Sequence, residues 1–465
     1  MLLYGRMKRN CFKPGWAWGK SCTASALSWS CSGLYIRNNT SWDYSSKTVF
    51  ELPNKLATSS ASTPNFEELE CKLFTDLEMV GADWDLLAQR SGITFLQRPY
   101  LKVLSSAPPA GMRFGYLLVY SAGLPSALAV CQIKHFSAGE SIQVEESTST
   151  EPCFFDGLTK WFKKRVAGWV DADILVIGNL LVSGQYGYWI DESRLGVRQF
   201  AEGIVSKLPE IVDFFQRNHS KIDLILFKDV AKEHQPVFNQ VFSDDQFIAF
   251  EIQPSMELDL PSPDFQGYLD AMSTKYRTRA KRAFKKAEKL ERRVLSKEEL
   301  EMYEGTLYGL YRLVANNAGF NVVDLHPSYN LRLATGIEAS VRVVGYFEGQ
   351  QLLAFYSTIQ NGSTLEAHFV GYDKSRNHAL QLYLNLLYDM IREAYEQGCK
   401  RISFARTALE IKSSVGAIPH DYTCYLRHQN PYVNKLTGSI LDYLKPVEEW
   451  VQRHPFKQTE SSEES

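Results

Sequence analysis

Glu366 and His368 stand two residues apart in the apolar run LEAHFVGY, residues 365–372. Residues two apart on a strand share a face, so a carboxylate and an imidazole are offered to one space. Either can take a proton from a bound nucleophile. The bland alternative is a polar pair on the solvent face of an edge strand. Tyr372 closes the run, where a phenol can donate a proton to a leaving group, or simply pack. Further along, Arg406, Thr407, Lys412, Ser413, Ser414 and Gly416 crowd the stretch RTALEIKSSVGAIP, residues 406–419. Cations, hydroxyls and helix-start N–H groups together make an anion site. Ordinary helix capping by serine is the competing use.

A second concentration of charge lies upstream. Lys275, Arg277, Arg279, Lys281, Arg282, Lys285, Lys286, Lys289, Arg292 and Arg293 fall within residues 275–293, against only Glu288 and Glu291. Leu269, Met272, Tyr276, Ala280, Ala283, Phe284, Ala287 and Leu290 recur at helical spacing, so the segment is expected to be a docked helix. Like charges on one docked helix repel unless an anion shares them. Lys275 and Arg277 are therefore expected to join Arg406 and Lys412 on a phosphorylated donor. A tRNA or an anionic membrane surface is the other partner such a 275–293 helix would suit.

The elements that must hold these residues repeat. Residues 116–136 (YLLVYSAGLPSALAVCQIKHF) and 342–362 (RVVGYFEGQQLLAFYSTIQNG) each read as strand, tight turn, strand. Tyr120/Gly123 and Tyr346/Gly349 mark the two turns, where glycine supplies the positive φ of a hairpin. In the first half a strand over 174–190, a helix over 196–216 and a strand over 222–227 are expected to follow. In the second half the strand is 365–372, the helix 379–397 with Gly398 as its stop, and the next strand 402–404. The fold expected is α/β, with two tandem units, each a mixed sheet flanked by helices.

Three stretches carry a resemblance. Residues 264–290 (DFQGYLDAMSTKYRTRAKRAFKKAEKL) resemble the basic-helix element of Fem-type peptidyltransferases and related GNAT proteins of peptidoglycan biosynthesis. Residues 369–387 resemble the strand and helix that open the acyl-donor half of that fold, and Lys412 with Gly416 its Lys-x-x-x-Gly element. The usual GNAT pyrophosphate loop, Gln/Arg-x-x-Gly-x-Gly/Ala, is absent from both halves. The resemblance implies two GNAT-like units, 65–256 and 257–456, with an acyl-CoA donor bound in the second. The acceptor would be a small-molecule or cell-envelope amine lying between the units. An aminoacyl-tRNA donor, or a non-catalytic protein binding an anionic glycan or lipid, are the readings it competes with.

Composition narrows the classes. A formal net charge of -2 over 465 residues leaves no global field for nucleic acid, so any basic function is local. The eight cysteines are scattered without a Cys-x-x-Cys pair, which argues for free thiols and against a structural zinc; no metal is expected. No apolar run reaches 18 residues, and a cytoplasmic location is expected. Residues 1–64 show neither periodicity and are expected to be a disordered or mis-started extension that folding does not need, with a transit peptide as the alternative. Residues 457–465 read as a disordered tail.

Overall fold

The computed structural model describes residues 49–51, 69–137, 171–218, 221–316, 323–444 and 450–457. The expectations for most of residues 1–64 and for residues 458–465 lie outside these. Where described, the leader departs from its reading: Val49–Glu51 is a strand, β1, paired antiparallel with β2 (Glu70–Phe74).

Sixteen strands build two sheets among the described residues. The first holds β1, β2, β3 (Met112–Ser121), β4 (Leu124–Ser137), β5 (Asp171–Ile177), β6 (Tyr188–Ile190), β7 (Leu224–Val230) and β8 (Ile248–Glu251). To these is added β16 (Thr423–His428), and the order is β1-β2-β3-β4-β5-β7-β16-β8, with β6 on β4. The second sheet holds β9 (Ser255–Asp259), β10 (Glu291–Val294), β11 (Val341–Glu348), β12 (Gln351–Asn361), β13 (Thr364–Tyr372), β14 (Arg401–Ser403) and β15 (Ile418–His420). Its order is β10-β11-β12-β13-β14-β9-β15.

The second order maps strand by strand onto β2-β3-β4-β5-β7-β16-β8 of the first, with β1 and β6 as additions. Each has a central parallel pair, β5 with β7 and β13 with β14, and antiparallel neighbours elsewhere. The hairpins β3–β4 and β11–β12 occupy equivalent places, turning at Gly123 (φ 74) and Gly349 (φ 61). The tandem arrangement therefore stands, with an exchange that the sequence pattern did not announce. β9 leaves the first sheet to lie between β14 and β15, while β16 crosses back between β7 and β8. The expected cut between residues 256 and 257 falls inside β9.

Helices flank the sheets: α1 (Ala82–Ser91), α2 (Arg98–Ser106), α3 (Val197–Asn218) and α4 (Gln235–Asp244) in the first half. The second half has α5 (Phe265–Ala271), α6 (Thr274–Lys286), α7 (Lys297–Met302), α8 (Glu304–Ala315), α9 (Tyr329–Gly336), α10 (Lys374–Leu380), α11 (Leu382–Glu396), α12 (Leu409–Ser413) and α13 (Pro431–Leu444). Three expectations shift. The strand expected over 174–190 stops at Ile177, because Gly178 takes φ 147 and the chain loops before β6. The helix expected over 379–397 is two helices, broken where Gln381 adopts the left-handed φ of 52°. The basic helix proper is α6, set off from α5 by Met272 and Ser273.

Strand alternation divides the core. Tyr116, Leu118 and Tyr120 of β3 point into one cluster, and Leu117 and Val119 into another, so this strand is buried on both faces. The first cluster joins the halves, packing Trp84, Phe95 and Tyr100 with Tyr329, Phe347, Phe355 and Ile359. The outer face of the second sheet packs on α5, α6 and α11 through Leu365, Ala280, Ala283 and Leu387. The candidate site lies on the inner face of that second sheet.

Candidate active site

β13 and β14 pair only through Thr364↔Arg401, Leu365↔Ile402 and Glu366↔Ser403. Beyond Glu366, β13 runs on to Tyr372 with no strand partner on that edge among the described residues. A bulge interrupts its other ladder, so Ala367 faces Thr358 while Val370 faces Tyr356. One extra residue turns the chain. Ser357 secures it, accepting from Phe369 N–H (3.1 Å) and donating to Phe369 C=O (3.3 Å). His368 and Phe369 lie in ring contact, with centroids 4.4 Å apart.

Glu366 sits where the parallel pair parts, 4% exposed. Tyr186, from the loop before β6 in the first half, donates its hydroxyl to Glu366 Oε1 at 2.6 Å. Burial pushes the Glu366 carboxyl up to about 7, opposed by the Tyr186 hydrogen bond. A carboxyl that titrates near neutrality suits general base work. His368 differs. Its Nε2 lies 2.7 Å from the Tyr329 hydroxyl, and burial pushes the imidazole down to about 3. Of the two, Glu366 is the one whose shift brings it near neutrality. Tyr372 rests its ring on Tyr383 (centroids 5.6 Å), and burial raises its phenol above the usual range.

Opposite the free edge of β13, the chain leaving β14 is strained. Ala405, Thr407 and Ala408 all take left-handed φ, at 55°, 69° and 50°. Each such residue costs on the order of 1 kcal/mol unless its surroundings impose it. Two buried cations do so. Lys412 Nζ donates to the carbonyls of Phe404 (2.6 Å), Ala405 (3.2 Å) and Arg406 (2.6 Å). Burial lowers its ammonium to about 7, but three acceptors call for three N–H groups, which only the charged form has. Arg406 forks onto Asp229 (2.7 and 3.2 Å) and donates to Gln253 C=O (2.7 Å). Asp229 also holds Lys228 and accepts from Gly184 N–H at 3.0 Å.

The expected anion site is thereby corrected. Arg406 and Lys412 spend their donors on protein groups, so they shape the loop rather than face a phosphate. Ser413 and Ser414 donate back to Glu410 and Ile411 carbonyls, as helix residues do. Gly416 (φ 105) lets Phe456 approach: an added Cβ would stand 2.5 Å from that ring. Thr407 is exposed. Lys275 is exposed over the Tyr276 ring, and Arg277 pairs with Asp270 at 3.4 Å. Arg277 and Arg406 thus have different partners, Asp270 and Asp229, and no shared one. From the basic helix it is Arg279 that reaches α12, in a cleft with Trp450 and Arg453.

Three site residues were missed: Tyr186, Asp229 and Glu257. Tyr186 lies in the glycine-rich stretch SGQYG, residues 183–187, a composition that loops and bulged strands share. Its OH meets Glu366 across a sequence separation of 180 residues, which no local spacing encodes.

The first sheet has no counterpart of the carboxylate. Its parallel pair ends at Ile177↔Phe227, where the second sheet ends at Glu366↔Ser403. The backbone is matched more closely than the chemistry, since Asp229 (φ 59) lies two residues past Phe227 as Ala405 (φ 55) lies two past Ser403.

Residues 274–413 match the family model described as an acetyltransferase (GNAT) domain. Among solved structures, FemX is 12% identical, with 74% of this chain and 94% of that one covered and a TM-score of 0.46. A tandem GNAT protein from the clavulanic acid biosynthesis pathway is 13% identical, covering 78% and 99%, at 0.43. L-PGS from Bacillus licheniformis is 11% identical, covering 74% and 94%, at 0.40. No curated protein matches the chain.

Proposed function

Taking residues 274–413 as a GNAT acetyltransferase domain, we propose that the protein is an N-acyltransferase that moves an acyl group from acyl-CoA to an amine. The observation that carries this is Glu366, a buried carboxyl raised to about 7 at the point where β13 and β14 part. The free edge of β13 would receive the donor. The acceptor amine attacks the thioester carbonyl, a C–N bond forms, the C–S bond breaks, and the nitrogen's proton passes to Glu366. Tyr372, whose raised phenol stays protonated, would return a proton to the departing thiolate.

The donor's phosphates need cations, and α6 supplies them. Lys275, Arg279, Lys281, Arg282, Lys285 and Lys286 of this helix are exposed. Lys286 Nζ donates to His378 C=O at 3.3 Å, so the helix abuts α10, just past β13. The same exposed cations favour a second reading, a Fem-type transferase with an aminoacyl-tRNA donor. Its acceptor would belong to the cell envelope. An anionic membrane is a further surface they would suit. Among the described residues no helix is long and apolar enough to cross a membrane, and no cluster of three side chains could hold a metal.

Tyr186 tests the assignment from the other half of the molecule. Its hydroxyl favours the ionised form of Glu366, so Tyr186→Phe should raise the carboxyl's pKa further. Activity requires the carboxylate and therefore falls as pH drops through that pKa. The acid limb of thiol release from acetyl-CoA should move to higher pH, by about half to one unit for one lost hydrogen bond. A limb that stays in place, or moves to lower pH, would remove Glu366 from the mechanism.

A further inference from the structure

The inner face of the second sheet continues past Glu366 as a polar strip. Glu366, Ser403 and Glu257 stand in register across β13, β14 and β9, and Ser255 on β9 stands opposite His420 on β15. The Ser403 and Ser255 side chains are buried, at 1% and 0% exposure, and their hydroxyls have no hydrogen-bond partner. The buried Nε2 of His420 is likewise unpaired, 4.0 Å from Glu257 Oε2. Buried polar atoms are seldom left unmatched, and here three of them border one carboxylate row.

The charge of this strip is one-sided. Arg401 serves both Glu257 (3.2 Å) and Asp259 (2.6 Å), and Tyr422 donates to Glu257 Oε1 at 3.2 Å. Glu366 accepts from the Tyr186 hydroxyl at 2.6 Å, and the other polar side chains beside it, Ser403 and Asn361, are neutral as well. The other buried cations nearby are already engaged, Lys228 and Arg406 by Asp229 and Lys412 by the carbonyls of Phe404, Ala405 and Arg406. A ligand that satisfies the strip must bring N–H donors and positive charge.

We propose that this strip is the acceptor subsite, and that the acceptor is a primary amine carrying a second cationic centre, seated between Glu366 and Glu257. This deepens the acyltransferase reading and rests on it. The amine at Glu366 is the one acylated, giving up its proton to that carboxylate. The second nitrogen stays charged on Glu257, with Ser255, Ser403 and His420 accepting its N–H groups. Adjacent strands lie about 4.8 Å apart, so two strand steps separate the carboxylates' backbones by about 10 Å. A four-carbon diamine with a charge-assisted hydrogen bond of about 2.8 Å at each end spans a gap of that order. An acceptor with its own carboxylate would meet like charge.

The test is binding without any donor present. 1,4-Diaminobutane, 1-aminobutane and 4-aminobutanoate are titrated by calorimetry into the full-length protein and into Glu257→Gln and Ser403→Val. The diamine should bind the wild type at least about tenfold more tightly than the monoamine, as one extra charge-assisted hydrogen bond implies. Glu257→Gln should abolish that advantage and leave the monoamine within about twofold, since the Glu366 end is intact. Ser403→Val leaves the Arg401 pair alone, so it should weaken the diamine even if Glu257→Gln misfolds. Equal binding of diamine and monoamine, preference for 4-aminobutanoate, or wild-type affinity in both variants overturns the proposal. Diamine binding without thiol release from acetyl-CoA would uphold the subsite and overturn the acyltransferase reading. Turnover of amines with no diamine preference would do the reverse.

Discussion

Glu366→Gln should lower acyl transfer by about 10²–10⁴-fold, the range for loss of a general base, while making the protein more stable at pH 8. Glutamine keeps the acceptor for Tyr186 but cannot take a proton. The stability gain follows from linkage. Burial raises this carboxyl from its ordinary 4.5 to about 7, so between those values the folded state binds the proton that the unfolded state has lost. Stability from this group is thus full below pH 4.5, declines as pH rises, and reaches its lowest value above 7. The cost of ionising it is on the order of 3 kcal/mol, and the amide does not incur it. Urea melts of both proteins at pH 5 and pH 8 check the sign. The variant's advantage should grow with pH; an advantage that is absent, or larger at pH 5, would mean that Glu366 does not titrate as the structure implies.

The largest loss of stability is expected at Asp229. Asp229→Asn retains the size and the tolerance for a left-handed backbone at φ 59. It removes the carboxylate from Lys228 and Arg406, which stays 0% exposed at its side chain between them. Breaking a buried pair by removing one partner costs about 3–5 kcal/mol, because the remaining charge is uncompensated. Two cations depend on this one anion, which both hold as a carboxylate well below its usual range. Because Arg406 lies between Ala405 and Thr407, the strained loop should loosen too, and acyl transfer should fall with it. Chemical denaturation measures the first effect, and a loss under 1 kcal/mol would show that the cluster is solvated. Adding Lys228→Met should recover part of the stability, since one of the two unpaired charges is then gone.

Much of the fold was legible because it is written in local periods. The hairpins at Tyr120/Gly123 and Tyr346/Gly349, the stripe of α11 and the docked face of the basic helix all follow from spacing alone. The exchange of β9 and β16 was not, since each is a short strand of mixed polarity (SMELD and TCYLRH) equally able to complete either sheet; which sheet it joins is decided by tertiary pairing. Glu366 was legible as one of two residues on a strand face. What separates it from His368 is that burial raises a carboxyl towards neutrality but lowers an imidazole away from it, together with a partner 180 residues away, and neither leaves a mark in local sequence. Arg406 and Lys412 misled for a physical reason. A conspicuous lysine and arginine beside serines fit an anion site and a loop clamp equally well, and the backbone carbonyls of residues 404–406 that Lys412 binds are invisible in sequence.

Hydrogen–deuterium exchange with and without acetyl-CoA bears most directly on whether the second sheet holds the donor. Amides in residues 367–372 and 404–408, which border the parting of β13 and β14, should become protected. The equivalent stretch of the first sheet, residues 178–187, should exchange as before. Protection confined to residues 178–187, or no protection by acetyl-CoA anywhere, would contradict the assignment.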